Sequence, residues 1–454
     1  MRALTKVASL ALLMAAPLLA RSVPVPEVSA TRLRADVASL VSFGTRHTLS
    51  SADDPKRGIG AARRWAESDF RKTSAACGGC LEIVLPEHTV TGERMPRPVK
   101  IIDVVAIQRG TERPNEVVIV QGHIDSRVSD VMNATADAPG ANDDGSGTAL
   151  VLEAARVLSK RKFPTTIVYA VLSGEEQGLF GGKLLADYAK QQGWTVKAVL
   201  NNDIVGNTRG SDGVIDDKTV RVFSEGPRAD GDDALRAQAR RFGGENDSPS
   251  RNLSRFVAGL APSSPGGLQV RQVWRADRMG RGGDHLPFLD AGFPAIRFTV
   301  GVENYDHQHQ DLRTEKGVVY GDTIEFMDFG YLAKVTELNI AALDDLARAP
   351  MPPTVSIDAA VSTNTTLSWK PAEGAAGYKI YMRPTTASDW GEPILLQIAV
   401  TPVPGVSASA DFRQTLLLRG IRGDDWLFGV SAFTGDVESP IASAVPGGQF
   451  VPLR

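Results

Sequence analysis

The chain lacks an excess of either charge, because its 50 lysines and arginines nearly balance its 53 aspartates and glutamates, giving a net charge of −3. It also has no long basic run, so its charge gives no reason to expect a nucleic-acid partner. A content of 42% hydrophobic and 23% charged residues excludes a fully disordered, collagen-like or polytopic membrane protein. A length of 454 residues predicts two or three domains.

Cysteine is almost absent: the chain has only Cys77 and Cys80, separated by two glycines. This spacing occurs in redox pairs and in half of a zinc site. Because no further cysteine is present to complete such a zinc site, and because the chain has an export signal, the pair predicts a local disulfide in a surface loop.

Long apolar runs are missing except at the start of the chain. There Arg2 and Lys6 precede an apolar run over residues 7–16, and the small Ala20 follows. This arrangement is typical of a secretory signal peptide, which we place at residues 1–20, with an uncleaved membrane anchor as the alternative. We therefore expect a secreted or periplasmic protein with no transmembrane segment in the mature chain.

Residues 25–349 alternate between strand-like and helix-like patterns. Short segments rich in valine and isoleucine, several of them continuously apolar, predict strands buried on both faces at 100–108, 116–121, 165–172, 196–204 and 295–300. Apolar residues at helical spacing predict helices over 148–161, 179–191 and 322–348. The predicted fold class is α/β, with a mostly parallel central sheet and helices on both of its faces.

A proline-containing linker follows, and the apolar period then changes from 3.6 to 2 residues. Short alternating segments separated by turn residues predict a small all-β sandwich over residues 350–454.

Polar residues follow several of the predicted strands, at the sheet edge where open α/β folds bind ligands. These positions are His123 and Asp125, Asp143 and Asp144, Glu175 and Glu176, Asp203, and the segment 303–311 with His307 and His309. Taken singly, each is as well explained by an exposed turn or a helix cap. Together, two histidines and three carboxylates are what two divalent cations need when one carboxylate is shared. The sequence therefore predicts a site for two metal ions.

With these motifs the chain resembles the co-catalytic zinc exopeptidases, a family that includes bacterial leucyl aminopeptidases and glutamate carboxypeptidase. The resemblance covers roughly residues 40–349 and also rests on the segments 42–47, 58–63, 282–288 and 292–295. It implies two zinc ions per chain and a peptide or protein substrate.

The resemblance also implies a role for each site residue. His123 and Asp203 match ligands of one zinc ion, and Asp125 matches the residue that orients His123. Asp143 matches the carboxylate shared by both ions, and its peptide bond to the next residue is often cis in the family. Glu176 matches a ligand of the other ion. Glu175 matches the general base.

A histidine near the end of the motif series completes the second zinc site. The family usually places it four residues before an acidic residue, which selects His307 with Asp311; His309 is the alternative. The family often has a tyrosine directly before this histidine, which helps to hold the developing oxyanion. Here Asp306 precedes His307 and Tyr305 lies one residue further back, so the oxyanion role has no assigned residue.

The leading functional hypothesis is an exported zinc-dependent aminopeptidase. A dipeptidase or carboxypeptidase of the same fold differs only in what binds the substrate terminus, and the sequence shows no obvious arginine cluster for a free carboxylate. A one-zinc glutaminyl cyclase and a non-catalytic receptor-like protein are further alternatives, against which the complete ligand set argues. With the segments 367–369, 377–381 and 428–433, residues 350–454 resemble a fibronectin type III domain, which suggests attachment to a surface or polymer.

Overall fold

The structure is a computed structural model that describes residues 27–398 and 413–453. The predicted signal peptide at residues 1–20 lies outside the described residues. Among the described residues, no helix combines the length and the hydropathy needed to cross a bilayer.

The first part of the chain contains an eight-stranded sheet and two hairpins. Its strands are β1 (Glu82–Val84), β2 (Glu87–Gly92), β3 (Met95–Ile102), β4 (Val104–Gln108), β5 (Arg113–His123), β6 (Thr165–Leu172), β7 (Thr195–Asn202), β8 (Thr219–Phe223), β9 (Gln269–Val273), β10 (Ala295–Val300), β11 (Arg313–Glu315) and β12 (Val318–Tyr320). The sheet order is β1-β4-β6-β5-β7-β10-β8-β9, while β2 pairs with β3 and β11 with β12. Its centre, from β6 through β5 and β7 to β10, is parallel.

Helices cover both faces of this sheet. The helices of the described residues are α1 (Ala30–Ser42), α2 (Ile59–Ala76), α3 (Gly145–Leu158), α4 (Phe180–Gln191), α5 (Asp233–Phe242), α6 (Pro249–Leu260), α7 (Leu286–Asp290) and α8 (Phe329–Arg348), with short 3-10 turns at Ala261–Ser263, Ile324–Phe326 and, in the C-terminal part, Gly423–Asp425. On β5, Val118 and Val120 pack into the core that includes α1, α3 and α8. Val117 and Ile119 pack into the core on the opposite face, which includes α4 and α7. Because alternate residues of a strand point to opposite faces, β5 is apolar throughout. The predicted α/β fold class is confirmed.

Two predicted elements differ from the observed ones by more than a few residues at one end. The predicted strand at 100–108 is two strands, because Asp103 interrupts it and its buried carboxylate accepts a hydrogen bond from the backbone N–H of Ser173 at 3.0 Å. The predicted last helix at 322–348 begins at Phe329, because the Asp328 side chain caps it by accepting from the N–H of Tyr331 at 2.9 Å.

The C-terminal part is all-β. Its strands are β13 (Val355–Asp358), β14 (Thr365–Trp369), β15 (Gly377–Pro384), β16 (Leu395–Ile398), β17 (Gln414–Leu418), β18 (Trp426–Thr434), β19 (Val437–Glu438) and β20 (Ala442–Ser443). They form two antiparallel sheets, β13-β14-β17 and β16-β15-β18-β19, with β20 also pairing with β18. Alternate residues of these strands, including Trp369, Tyr378 and Phe428, form a separate core.

The two cysteines are joined at the end of α2, where Cys77 and Cys80 form a disulfide. This confirms the predicted local link.

Candidate metal centre

The carboxyl ends of four neighbouring strands bring the predicted polar residues together. His123 ends β5, Glu175 and Glu176 follow β6, Asp203 follows β7, and His309 lies in the loop after β10. Because these strands are parallel neighbours, their ends meet at one edge of the sheet.

The first group consists of His123, Asp143 and Asp203, whose side chains are all buried. Nε2 of His123 lies 3.2 Å from a carboxylate oxygen of Asp143 and 4.0 Å from one of Asp203. Asp203 is held in turn by the buried Arg297, whose guanidinium lies 2.7 Å from the other carboxylate oxygen.

The second group consists of Asp143, Glu176 and His309. Nε2 of His309 lies 2.8 Å from Oδ2 of Asp143 and 3.0 Å from Oε1 of Glu176. Asp143 thus belongs to both groups, with Oδ1 facing His123 and Oδ2 facing His309. This is the position expected of a shared carboxylate.

The structure places the two candidate histidines differently from the preferred prediction. The ring of His307 stacks on that of Phe326, with ring centroids 3.6 Å apart, and His307 belongs to neither group. His309, the alternative, faces Asp143 and Glu176 instead. The backbone of His309 has a φ of 54°, which turns the chain so that this side chain points into the site.

Asp125 contacts both His123, as predicted, and the loop after β6, which was not predicted. Nδ1 of His123 lies 3.1 Å from the backbone carbonyl oxygen of Asp125 and 3.7 Å from its carboxylate. The buried carboxylate itself accepts hydrogen bonds from the N–H groups of Gly174 and Glu176 at 2.9 and 3.1 Å. Asp125 therefore connects the end of β5 to the loop that carries both glutamates.

The adjacent carboxylates of Asp143 and Asp144 have different roles. The Asp144 side chain caps α3 by accepting from the N–H of Gly147 at 2.8 Å, and also accepts from the N–H of His123 at 3.1 Å. The Asp143–Asp144 peptide bond is cis. A side chain at Gly147 would meet the backbone oxygen of Asn202 at 2.3 Å, so this close approach of α3 to β7 requires glycine.

The donor atoms of both groups suit a metal ion. Nε2 of His123 and Oε1 of Glu176 are buried, and their contacts with Asp143 at 3.2 Å and with His309 at 3.0 Å lack hydrogen-bond geometry. Buried polar atoms of this kind are costly unless something binds them. Imidazole nitrogen with carboxylate oxygen is a donor set that zinc accepts. The residues therefore fit two metal ions that share Asp143.

The close pairs of histidine and carboxylate shift the pKa values of both kinds of group. Burial disfavours a charged His309, but Glu176 and Asp143 outweigh it and raise the pKa of His309 to about 10. Burial likewise opposes the charge of Asp143, but His309 and His123 hold its pKa well below the usual range.

Glu175 lines a cleft of about 300 Å³ beside both groups. Removal of its carboxylate from water raises the pKa of Glu175 well above its ordinary value, although His123 opposes the shift. A carboxylate with a raised pKa, beside candidate metal ligands, is suited to accept and return a proton.

Sequence reasoning did not identify the arginines that line the same cleft. They are Arg94, Arg127, Arg278 and Arg281. Arg94 lies between β2 and β3 and donates to the carbonyl oxygen of Glu176 at 3.0 Å, while Nε of Arg127 lies 2.8 Å from Oε2 of Glu176. These residues come from three separate segments, so no local run of arginine marks them in the sequence.

Two adjoining groups of nitrogen and carboxylate donors, next to a carboxylate of raised pKa, define the class of this site as metal-dependent hydrolysis. Comparison with known proteins supports this class. The model of "Peptidase family M28" matches residues 103–317. A probable zinc metalloprotease of Leptosphaeria maculans is 48% identical over 371 residues, which cover 81% of this chain and 86% of the relative.

A probable zinc metalloprotease of Pyricularia oryzae is 44% identical over 433 residues, covering 93% of this chain and 83% of the relative. The chain therefore belongs to peptidase family M28, and this membership implies zinc as the metal. The fold is also similar to the crystal structure of Legionella pneumophila LapA, with a TM-score of 0.51 and 20% identity over 70% of this chain and 73% of LapA.

Proposed function

We propose that this zinc metallopeptidase is an exported exopeptidase that uses two zinc ions, with Glu175 as the general base. The observation that carries the proposal is the position of Asp143, whose two carboxylate oxygens face separate groups of donors. We assign His123, Asp143 and Asp203 to one ion, and Asp143, Glu176 and His309 to the other. His309 takes the place that the sequence had assigned first to His307.

Zinc in this site would supply Lewis acidity, polarising the scissile carbonyl group and making water easier to deprotonate. Glu175 would then accept a proton from the attacking water and return it to the leaving amine. Arg297 and Asp125 would keep Asp203 and the 174–176 loop in place during this transfer. A raised pKa suits Glu175 to both halves of the proton transfer.

The sequence favours an aminopeptidase, which remains the first candidate for the terminus that is attacked. A specific observation favours a dipeptidase or carboxypeptidase as the second candidate, namely the arginines in the cleft. Export rests on the predicted signal peptide, and the fibronectin type III resemblance of residues 350–454 rests on sequence alone. A role of this C-terminal part in attachment to a surface or polymer also rests on the sequence alone.

The decisive experiment combines metal content with turnover in the Glu175→Gln variant. We expect the variant to keep two zinc ions per chain, measured by plasma mass spectrometry, because Glu175 belongs to neither donor group. We expect kcat on an aminoacyl amide or a dipeptide to fall by at least about 100-fold, because the proton acceptor is lost.

Retained turnover in a fully loaded variant would remove Glu175 from the mechanism. A wild-type chain that binds no zinc and cleaves no peptide would instead favour the receptor-like alternative.

A further inference from the structure

Within the loop between β9 and α7, the segment 274–283 carries three arginines, and two of them line the cleft at the metal centre. We call it the arginine loop; its arginines are Arg275, Arg278 and Arg281. A single carboxylate, that of Asp277, organises its backbone by accepting from the N–H groups of Arg281 and Gly282 at 3.1 and 2.8 Å. Asp277 thus links the two ends of the segment that carries Arg278 and Arg281.

The two arginines of the arginine loop that line the cleft share one buried carboxylate with a third arginine. Arg278 and Arg281 lie 3.1 and 2.8 Å from Oε2 of the buried Glu303, and Arg221 of β8 lies 2.6 Å from Oε1. One carboxylate therefore serves three guanidinium groups. Arg278 is also nine-tenths buried, and its Nε has no hydrogen-bond partner among the described residues.

Arg278 and Arg281 both face the candidate metal centre. Arg281 donates to the side-chain oxygen of Gln308 at 2.6 Å, and the side-chain nitrogen of Gln308 lies 3.3 Å from Oδ2 of Asp143. Arg278 and Arg281 line the 300 Å³ cleft that contains Glu175, and also an adjoining recess of about 650 Å³. A substrate held at the metal centre would thus extend along these two side chains.

The charges of the residues that line the cleft also favour a negatively charged substrate group near Arg278 and Arg281. The acidic residues that line the 300 Å³ cleft are the candidate ligands and the base: Asp143, Glu175, Glu176 and Asp203. Two divalent cations would offset these four negative charges, so the carboxylate that pairs with Arg278 and Arg281 is that of Glu303, which lines the adjoining recess and not this cleft. None of the described acidic residues of this cleft is left over to bind a substrate amine.

We propose that Arg278 and Arg281 form a subsite for a carboxylate of the substrate, next to the scissile bond. The proposal deepens the proposed function and rests on it. Guanidinium groups present planar pairs of donors that match the two oxygens of a carboxylate. The bound carboxylate could be the α-carboxylate of a short peptide or the side chain of an acidic residue. The substrates described next distinguish these two.

The test uses two matched pairs of substrates with the zinc-loaded full-length chain. Leucyl-alanine against leucyl-alanine amide tests the α-carboxylate, and leucyl-glutamate amide against leucyl-glutamine amide tests the side chain. We expect kcat/KM to be higher by about tenfold or more for the charged member of at least one pair, since charged hydrogen bonds are strong where water is excluded. Equal values within both pairs would overturn the proposal.

Arg281→Gln is the first variant, because its partly exposed side chain makes misfolding less of a concern. We expect it to lose the preference through a higher KM for the charged substrate, so that the ratio of kcat/KM between the two members of the pair falls towards one. Arg281→Glu should reverse the order and favour a lysine-containing amide over the glutamate one. The matched control is Arg271→Gln, which removes an exposed arginine of β9 that pairs with Asp216 and lines neither cavity.

A second readout separates this inference from the proposed chemistry. Calorimetric titration of the zinc-loaded Glu175→Gln variant with the same dipeptides measures binding without turnover. We expect tighter binding of the charged member, and loss of that difference in the Glu175→Gln/Arg281→Gln double variant. If the wild type cleaves nothing but this binding difference persists, the proposed activity fails and the carboxylate subsite stands; equal or absent binding of both members overturns the subsite.

Discussion

His307 and His309 lie two positions apart, yet their side chains have unrelated surroundings. His307 stacks on Phe326, whereas His309 contacts two buried carboxylates. We therefore expect His309→Ala to bind one zinc ion per chain instead of two, because it removes the nitrogen donor of the second group. Turnover should fall with the loss of that ion. Zinc per chain after extensive dialysis, measured by plasma mass spectrometry, gives the result.

His307→Ala is the control for this prediction, since it removes the same side chain from the same loop. It should keep two zinc ions and lose only the ring contact with Phe326. If His307→Ala lost a zinc ion while His309→Ala kept both, the second group would have to be rebuilt around His307.

The sequence indicated the residue types that the structure brings together in the candidate site, but it did not indicate the position of one candidate ligand. Histidine and carboxylate recur directly after buried strands, and the parallel order of those strands brings them to one edge. His309, in contrast, lies within a loop, where its spacing to Asp311 does not determine which way its side chain points. At His309 the backbone has a positive φ, which no local sequence pattern predicts. The cleft arginines were missed for a related reason, because only the tertiary fold brings Arg94 and Arg281 together.

At the scale of elements, the site depends on how the start of α3 is anchored. The carboxylate of Asp322, in the segment before α8, accepts from the N–H of Asn142 at 2.9 Å and from that of Asp143 at 2.7 Å. Its backbone carbonyl also accepts from the N–H of Ala141 at 3.1 Å. A distant segment thus fixes the backbone of the shared carboxylate.

We expect Asp322→Ala to weaken zinc binding by about tenfold, because loss of supporting hydrogen bonds around a metal site has effects of this size. The measurement is competitive titration of zinc against a chelator of known affinity. Asp328→Ala is the matched control, because it removes another side-chain acceptor of backbone N–H groups, the half-buried cap of α8, and has no hydrogen bond with the 141–143 segment. Both variants should lose stability, but only Asp322→Ala should lose zinc affinity; equal zinc affinity in the two would contradict the anchoring role.

Element boundaries were harder to predict than element types. The central strands are continuously apolar because both of their faces are covered, and that pattern is visible in the sequence. Asp103 splits a predicted strand because its carboxylate has a backbone partner 70 residues away, at Ser173. This partner is brought close only by the tertiary fold, so the residues next to Asp103 in the sequence do not reveal it.

At the scale of the whole molecule, the C-terminal sheets contact the α/β part through buried polar side chains. Arg383 of β15 donates to both carboxylate oxygens of Asp247 at 2.6 and 2.8 Å, and Arg255 of α6 lies 3.2 Å from the same carboxylate. Beside them, the indole N–H of Trp390 donates to the side-chain oxygen of Asn252 at 2.9 Å. The two parts therefore share a desolvated ion cluster.

This contact predicts that the two parts unfold together and that Asp247 is critical for it. Asp247→Asn would leave Arg383 and Arg255 buried without their counter-ion, a change that costs about 3 kcal/mol in comparable sites. We expect a lower midpoint in a single thermal transition, measured by scanning calorimetry on the zinc-loaded chain. Asp233→Asn, at an exposed carboxylate of α5, should leave the midpoint unchanged because exposed ion pairs contribute little. Two separate transitions in the wild type, with only the smaller one shifted by Asp247→Asn, would mean that the cluster joins two independently folding units instead of one cooperative molecule.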